Sequence, residues 1–132
     1  MFCFNQFWDV EGALLREGNV HSAKDWRAVL EPVVARYRRK GLWLKFRADA
    51  AFANPDLYEY LEGKGIGYAI RLPANDLLQE EIKPLLKRPV GRPSNAPLVR
   101  YADFYYQAKS WDRSRRVIAK VEWHRGELFP RV

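Results

Sequence analysis

Apolar residues alternate at Leu42, Leu44, Phe46 and Ala48, the period of a half-buried strand, and this predicts a strand over 42–49 that closes on Asp49. Asn54 followed by Pro55 reads as an N-cap and a proline at the first helical position. A helix over 55–62 is predicted there, burying Leu57, Tyr60 and Leu61, with Gly63 as its stop. Residues 66–72 form a further strand pattern. Upstream, Phe2, Phe4 and Phe7 with Leu14 and Leu15 predict two short strands about a turn at Trp8-Asp9, with Asp9 a turn residue. Ser22 to Asp25 has the spacing of a capping box. The helix after it carries Trp26, Val29, Leu30, Val33 and Tyr37 on one face. Pro32 is expected to kink that helix, and Arg36, Arg38, Arg39 and Lys40 complement the dipole at its end. The order strand, helix, strand, helix, strand predicts an α/β fold with right-handed parallel crossovers and helices packed on a sheet.

A short helix is predicted over 77–86, with Pro84 near its end. The pattern changes at Lys87. Residues 87–97 are rich in proline and basic side chains and read as an extended linker. Residues 99–109 and 115–124 then alternate as strands, with the turn at 111–114, and predict a β-hairpin.

Charge divides the chain at the same place. Residues 1–86 carry 12 Lys/Arg and 12 Asp/Glu, whereas residues 87–132 carry 11 and 4 and hold the whole net charge of +7. Two regions are therefore expected, 1–86 and 87–132, and the second suits contact with a polyanion such as nucleic acid. A solvated basic surface without a partner is the competing account.

The 48% hydrophobic and 14% aromatic content of the 132 residues suits a folded domain. No apolar run approaches the roughly 18 residues that span a membrane, and no secretion signal is visible, so no membrane partner and a cytoplasmic location are expected. Cys3 is the only cysteine, which excludes an internal disulfide.

The first candidate for chemistry is Asp49, a carboxylate at the carboxyl end of a strand, where open α/β sheets place ligand sites. The alternative is that Asp49 only holds loop amides. Arg47 shares its face and could orient a phosphate, pair with Asp49, or be a strand-end arginine with no further role. His21 and His124 lack partners at zinc-ligand spacing. Gly91-Arg92-Pro93 is half of a minor-groove hook core, with Val90 where a first arginine would stand. Tyr101, Phe104, Tyr105, Tyr106, Trp111 and Trp123 interleave with Arg100, Lys109, Arg113, Arg115 and Arg116. Packing accounts for most of these aromatics, and phosphate contact is expected of the arginines at 113–116.

Three segments in order carry a resemblance: Gly18 to Ala23, Arg47 to Asn54 and Tyr68 to Asn75, followed by Trp111-Asp112, Val121 to His124 and Phe129 to Val132. Together they resemble the DDE transposases of bacterial insertion sequences, most closely the transposase DDE domain of group 1, nearly from end to end. Trp8 stands where similar sequences have a small residue, and Glu17 where they have proline.

The resemblance implies part of a ribonuclease H-like mixed sheet with flanking helices, then a β-hairpin-rich insertion. It implies that Asp49 is the second acid of the catalytic triad and a Mg²⁺ ligand, with the first acid upstream of this chain and the Glu downstream. A single carboxylate cannot position two ions, so the chain by itself is expected to be inactive. The DNA contacts expected are Arg47, Lys87, Arg88, Arg92, Arg113, Arg115 and Arg116. The alternative is a non-catalytic module that binds DNA, a full-length transposase or a second copy of itself. A third account is a remnant of a decayed reading frame with no function.

Overall fold

The computed structural model describes residues 1–92 and 95–132. They form two compact units, Met1–Pro73 and Ala74–Val132. Pro93 of the Gly91-Arg92-Pro93 motif lies outside the described residues.

In the first unit, β1 (Phe2–Phe4) and β2 (Val10–Ala13) pair antiparallel. The turn between them is held by Asn5, whose Oδ1 accepts the Phe7 and Asp9 amides at 2.8 and 3.0 Å. Asp9 is a turn residue, as expected. Trp8 takes a left-handed backbone, φ 69°, and is 83% exposed. A β-carbon is unfavourable in that conformation, which is the physical reason a small residue suits position 8.

Helix α1 spans Trp26–Arg38. Ser22 does not cap it: residues 22–25 are turns, and His21 instead accepts the Ala23 amide at Nδ1, 3.2 Å, and the Lys24 amide at its carbonyl, 2.9 Å. Asp25 is the N-cap but has a left-handed backbone, φ 59°, and its side chain makes no capping bond. The helix runs unbroken past Pro32, which lies on its exposed side. Trp26, Leu30 and Val34 enter the main core, while Val29 and Val33 turn toward Gly12 of β2.

Strand β3 is Lys45–Ala48, shorter than the pattern predicts because Leu42 is exposed and Trp43 is 98% exposed. The alternation survives where it matters: Leu44 and Phe46 pack on the core. Helix α2 spans Pro55–Gly63, and Asn54 Oδ1 accepts the Asp56 amide at 3.0 Å. Leu57 and Leu61 are 0% exposed, and full burial of each contributes roughly 1.5–3 kcal/mol. Tyr58 is buried where the pattern points to Tyr60, and Tyr60 packs at the core's edge.

The α2 stop is Gly65, not Gly63. Gly65 has φ 64° and its amide donates to Glu62 O at 2.9 Å, while the Ile66 amide reaches back to Leu61 O at 2.9 Å. These two bonds form a Schellman end, and Ile66 joins the cluster that contains Leu61. The chain then enters β4 (Gly67–Ile70), parallel to β3 in the register Phe46–Tyr68 and Ala48–Ile70. The parallel crossover is therefore present. The continuous sheet is not: among the described residues, β1–β2, β3–β4 and the hairpin below are three separate two-stranded sheets. A tight turn closes β1 on β2, and periodicity carries no information about lateral neighbours beyond that.

In the second unit, helix α3 (Asp76–Ile82) starts at Asn75, whose Oδ1 accepts the Leu78 amide at 2.9 Å. The helix predicted to Leu86 ends earlier, and Lys83–Leu86 is a 3-10 turn containing Pro84. Strands β5 (Leu98–Tyr106) and β6 (Arg115–Trp123) form an antiparallel hairpin. Ile82, Val121 and Trp123 form its core with Leu85, Leu86, Ala102, Phe104 and Ala119 around them. The Trp123 indole N–H donates to Leu85 O at 3.2 Å, so the ring is buried without orphaning its polar atom.

Candidate nucleic-acid interface and the Asp49 position

Asp49 follows the last residue of β3 and begins a 3-10 turn, Ala50–Phe52. Its Oδ1 accepts the Ala51 amide at 3.0 Å. The side chain is exposed at the carboxyl end of the parallel pair, where the Arg71 amide donates to Ala48 O at 3.2 Å and zips β4 one residue further. Arg47 is exposed on the same face, yet no ion pair joins it to Asp49 among the described residues. The turn takes one carboxylate oxygen and leaves the other open. No group of three or more His, Cys, Asp or Glu among the described residues could hold a metal ion. Asp49 by itself does not fit a two-ion site, since Mg²⁺ needs near-octahedral oxygen ligation.

The second-unit cations expected to meet DNA fall into two sets. Lys87, Arg88 and Arg92 are exposed between the 3-10 turn and β5 and have no ion-pair partner among the described residues. The arginines at 113–116 are engaged. Arg113 Nε pairs with Asp112 Oδ2 at 2.9 Å. Arg115 is 7% exposed, pairs with Asp112 Oδ1 at 2.8 Å and lies over the Trp111 ring at 5.4 Å. Trp111 in turn meets Tyr106 edge-on at 5.4 Å. Arg115 is thus a packed member of the hairpin's inner face. Arg116 is exposed and grips Asp103, with Nε to Oδ1 at 2.9 Å and Nη2 to Oδ2 alongside.

These pairs hold the carboxylates ionised. The guanidinium of Arg116 lowers the Asp103 carboxyl from its usual range against a smaller cost of desolvation. Arg113, and then Arg115, does the same for Asp112. Lys120, helped by His124, lowers Glu122.

The hairpin's aromatics divide by strand alternation. Phe104 and Tyr106 point inward with Trp123, and Tyr106 accepts a bond from Asn75 Nδ2 at 3.2 Å. Tyr101 and Tyr105 point outward, 64% and 73% exposed, opposite Lys120 and Arg116.

Sequence reasoning missed Glu11. Its carboxylate accepts from the Tyr37 hydroxyl, from Arg36 Nη1 at 2.8 Å and from Asn5 Nδ2 at 3.0 Å. The Tyr37 bond is the main cause of a lowered Glu11 carboxyl. No spacing rule links residues 11 and 37, so only the tertiary packing of β2 on α1 reveals this cluster.

No helix among the described residues is long and apolar enough to cross a membrane. No curated protein and no solved structure matches the chain. The family model for the transposase DDE domain, group 1, matches residues 1–132. That family acts in DNA transposition and generally uses divalent metal ions. The match spans the whole chain, and this protein belongs to the transposase DDE domain family, group 1.

Proposed function

We propose that this chain is part of a transposase catalytic domain that keeps DNA contact but does not cut or join DNA unaided. The observation that carries the reading is the pairing of one exposed carboxylate, Asp49, at the end of a parallel strand pair with a separate basic hairpin unit. Asp49 would contribute one ligand to a Mg²⁺ site that needs further acids to be complete, on a ribonuclease H-like core within residues 1–86. In a completed site, the metal would supply electrostatic stabilisation of the attacking and leaving oxygens. Asp49 alone holds no such pair, so no catalytic step is assigned to this chain. Arg47, beside Asp49, faces the same DNA backbone.

Residues 87–132, as basic linker and start of the insertion, supply a DNA contact of their own. Lys87, Arg88 and Arg92, exposed and outside any ion pair among the described residues, bind phosphate first. Arg113 and Arg116 join after exchanging their carboxylate partners, and Arg115 acts by keeping Trp111 and the turn in place. A cytoplasmic site, where the DNA is, belongs to the same reading. Incubation of the purified chain with duplex DNA and Mg²⁺ is expected to give binding without cleavage. Metal-dependent cleavage that Asp49→Ala abolishes would overturn it.

A second reading, a module that associates with another transposase chain or with its own copy, is favoured by the outer face of β1–β2. Phe2 and Phe4 stack there with centroids 6.1 Å apart, next to exposed Val10. Adjacent exposed apolar side chains on a short open-edged sheet invite pairing. Light scattering over a concentration series is expected to show association that a Phe2→Ser, Phe4→Ser double variant removes. A monomer at every concentration would sink this reading.

A further inference from the structure

We infer that Asp103 is a built-in competitor of phosphate, and that it sets how tightly the hairpin holds a polyanion. The inference rests on the DNA-binding reading above. On the outward face of β5–β6, every cation already holds a carboxylate: Arg116 holds Asp103, and Lys120 holds Glu122. The Arg116–Asp103 pair has the two-bond, side-by-side form in which a guanidinium also receives a phosphate. Asp103 therefore occupies the same donor atoms a DNA phosphate would use.

The pair's position makes exchange easy. Asp103 faces Ile118 across the ladder, while Arg116 faces Tyr105, so the pair is diagonal and both side chains are exposed. Exposed pairs contribute little to stability. Opening this one leaves the strand pairing and the inner face of Ala102, Phe104, Val121 and Trp123 untouched. Tyr101, Tyr105 and Ile118 surround the pair and give a partner apolar surface once the guanidinium turns outward. Binding at Arg116 is an exchange, in which the carboxylate leaves the guanidinium as the phosphate arrives. The released Asp103 charge then opposes the bound strand. Arg116 consequently adds little to affinity while Asp103 is ionised, and a full phosphate interaction once it is not.

The test is a salt titration of binding to a duplex of random sequence at neutral pH, for wild type, Asp103→Asn, Arg116→Gln and the double variant. Each neutralised phosphate adds about 0.9 to the steepness of log affinity against log salt. Asp103→Asn is expected to bind about threefold to tenfold more tightly at 100 mM salt, with the slope steeper by one phosphate. The double variant is expected to lose that increase, and Arg116→Gln alone to lower the wild-type slope by much less than one full phosphate. Asp103→Glu, which keeps the charge, is expected to bind as wild type does.

Wild type that binds DNA with an affinity indifferent to Asp103→Asn overturns the inference and leaves the DNA-binding reading standing. Absence of DNA binding by wild type and Asp103→Asn alike, at the lowest salt, overturns both. If Asp103→Asn fails to melt cooperatively, Arg116→Gln decides alone: a slope shallower by a full phosphate means a free Arg116 and contradicts the inference.

Discussion

Gly12 of β2 lies so close to Val29 of α1 that a β-carbon at position 12 would sit 3.1 Å from Val29 Cγ1 and 3.4 Å from the Val29 carbonyl oxygen. The absence of a side chain here lets the inner face of the β1–β2 hairpin approach the helix closely. Gly12→Val is expected to push β2 off α1 and destabilise the chain by about 1–3 kcal/mol, the usual cost of overpacking. Chemical denaturation checks it, and a midpoint unchanged from wild type would show that β2 does not pack on α1 as described.

Trp8 offers the opposite experiment. It is a bulky residue in a left-handed turn, with its ring in solvent. Trp8→Gly relieves a backbone cost of about 1–2 kcal/mol but adds freedom to the unfolded chain. The expected net is a small rise in melting temperature. A fall would mean that the exposed indole makes an interaction stronger than the strain.

Gly65 tests the α2–β4 connection. A left-handed residue there lets the Ile66 amide turn back to Leu61 O. Gly65→Ala is expected to cost about 1–2 kcal/mol, whereas Gly63→Ala, inside the helix, is expected to stabilise by about 0.5–1 kcal/mol. Opposite signs for two nearby glycines are readily read from denaturant midpoints. Equal signs would contradict the assigned end of the helix.

Acid stability should report on Glu11. Its carboxyl is lowered in the folded chain, chiefly by the Tyr37 hydroxyl, then by Asn5 and Arg36 against desolvation. A group lowered on folding stabilises fully above its unfolded value, and that contribution is lost as pH falls through the folded one. Stability is therefore expected to drop on acidification from the usual carboxylate range downward. Glu11→Gln should be less stable at neutral pH and flatten that drop. A variant with the wild-type pH profile would show that Glu11 does not govern acid stability.

Much of this architecture was legible from local pattern. The Asn54-Pro55 start of α2, the parallel return from β3 to β4 and the 98–123 hairpin all rest on short-range signals: a cap, a period of two, a turn. What was hidden depends on tertiary placement. Ser22 has capping-box spacing, but His21 takes the amides, because the chain reaches α1 through a left-handed Asp25. Gly63 and Gly65 are equivalent as letters, and only the α2–β4 geometry distinguishes them. At the candidate site, the position of Asp49 at a strand end could be read from alternation. The engagement of Arg115 with Asp112 and Trp111 could not, since basic residues in a turn look alike until their partners are placed.

The DNA contact proposed for the second unit rests on charge. The most direct measurement is the affinity of the purified chain for duplex DNA at several salt concentrations, beside a variant with Lys87, Arg88 and Arg92 changed to Gln. Binding is expected to weaken steadily from about 50 to 200 mM salt, with a shallower dependence in the variant. Binding indifferent to salt, or a variant indistinguishable from wild type, would contradict it.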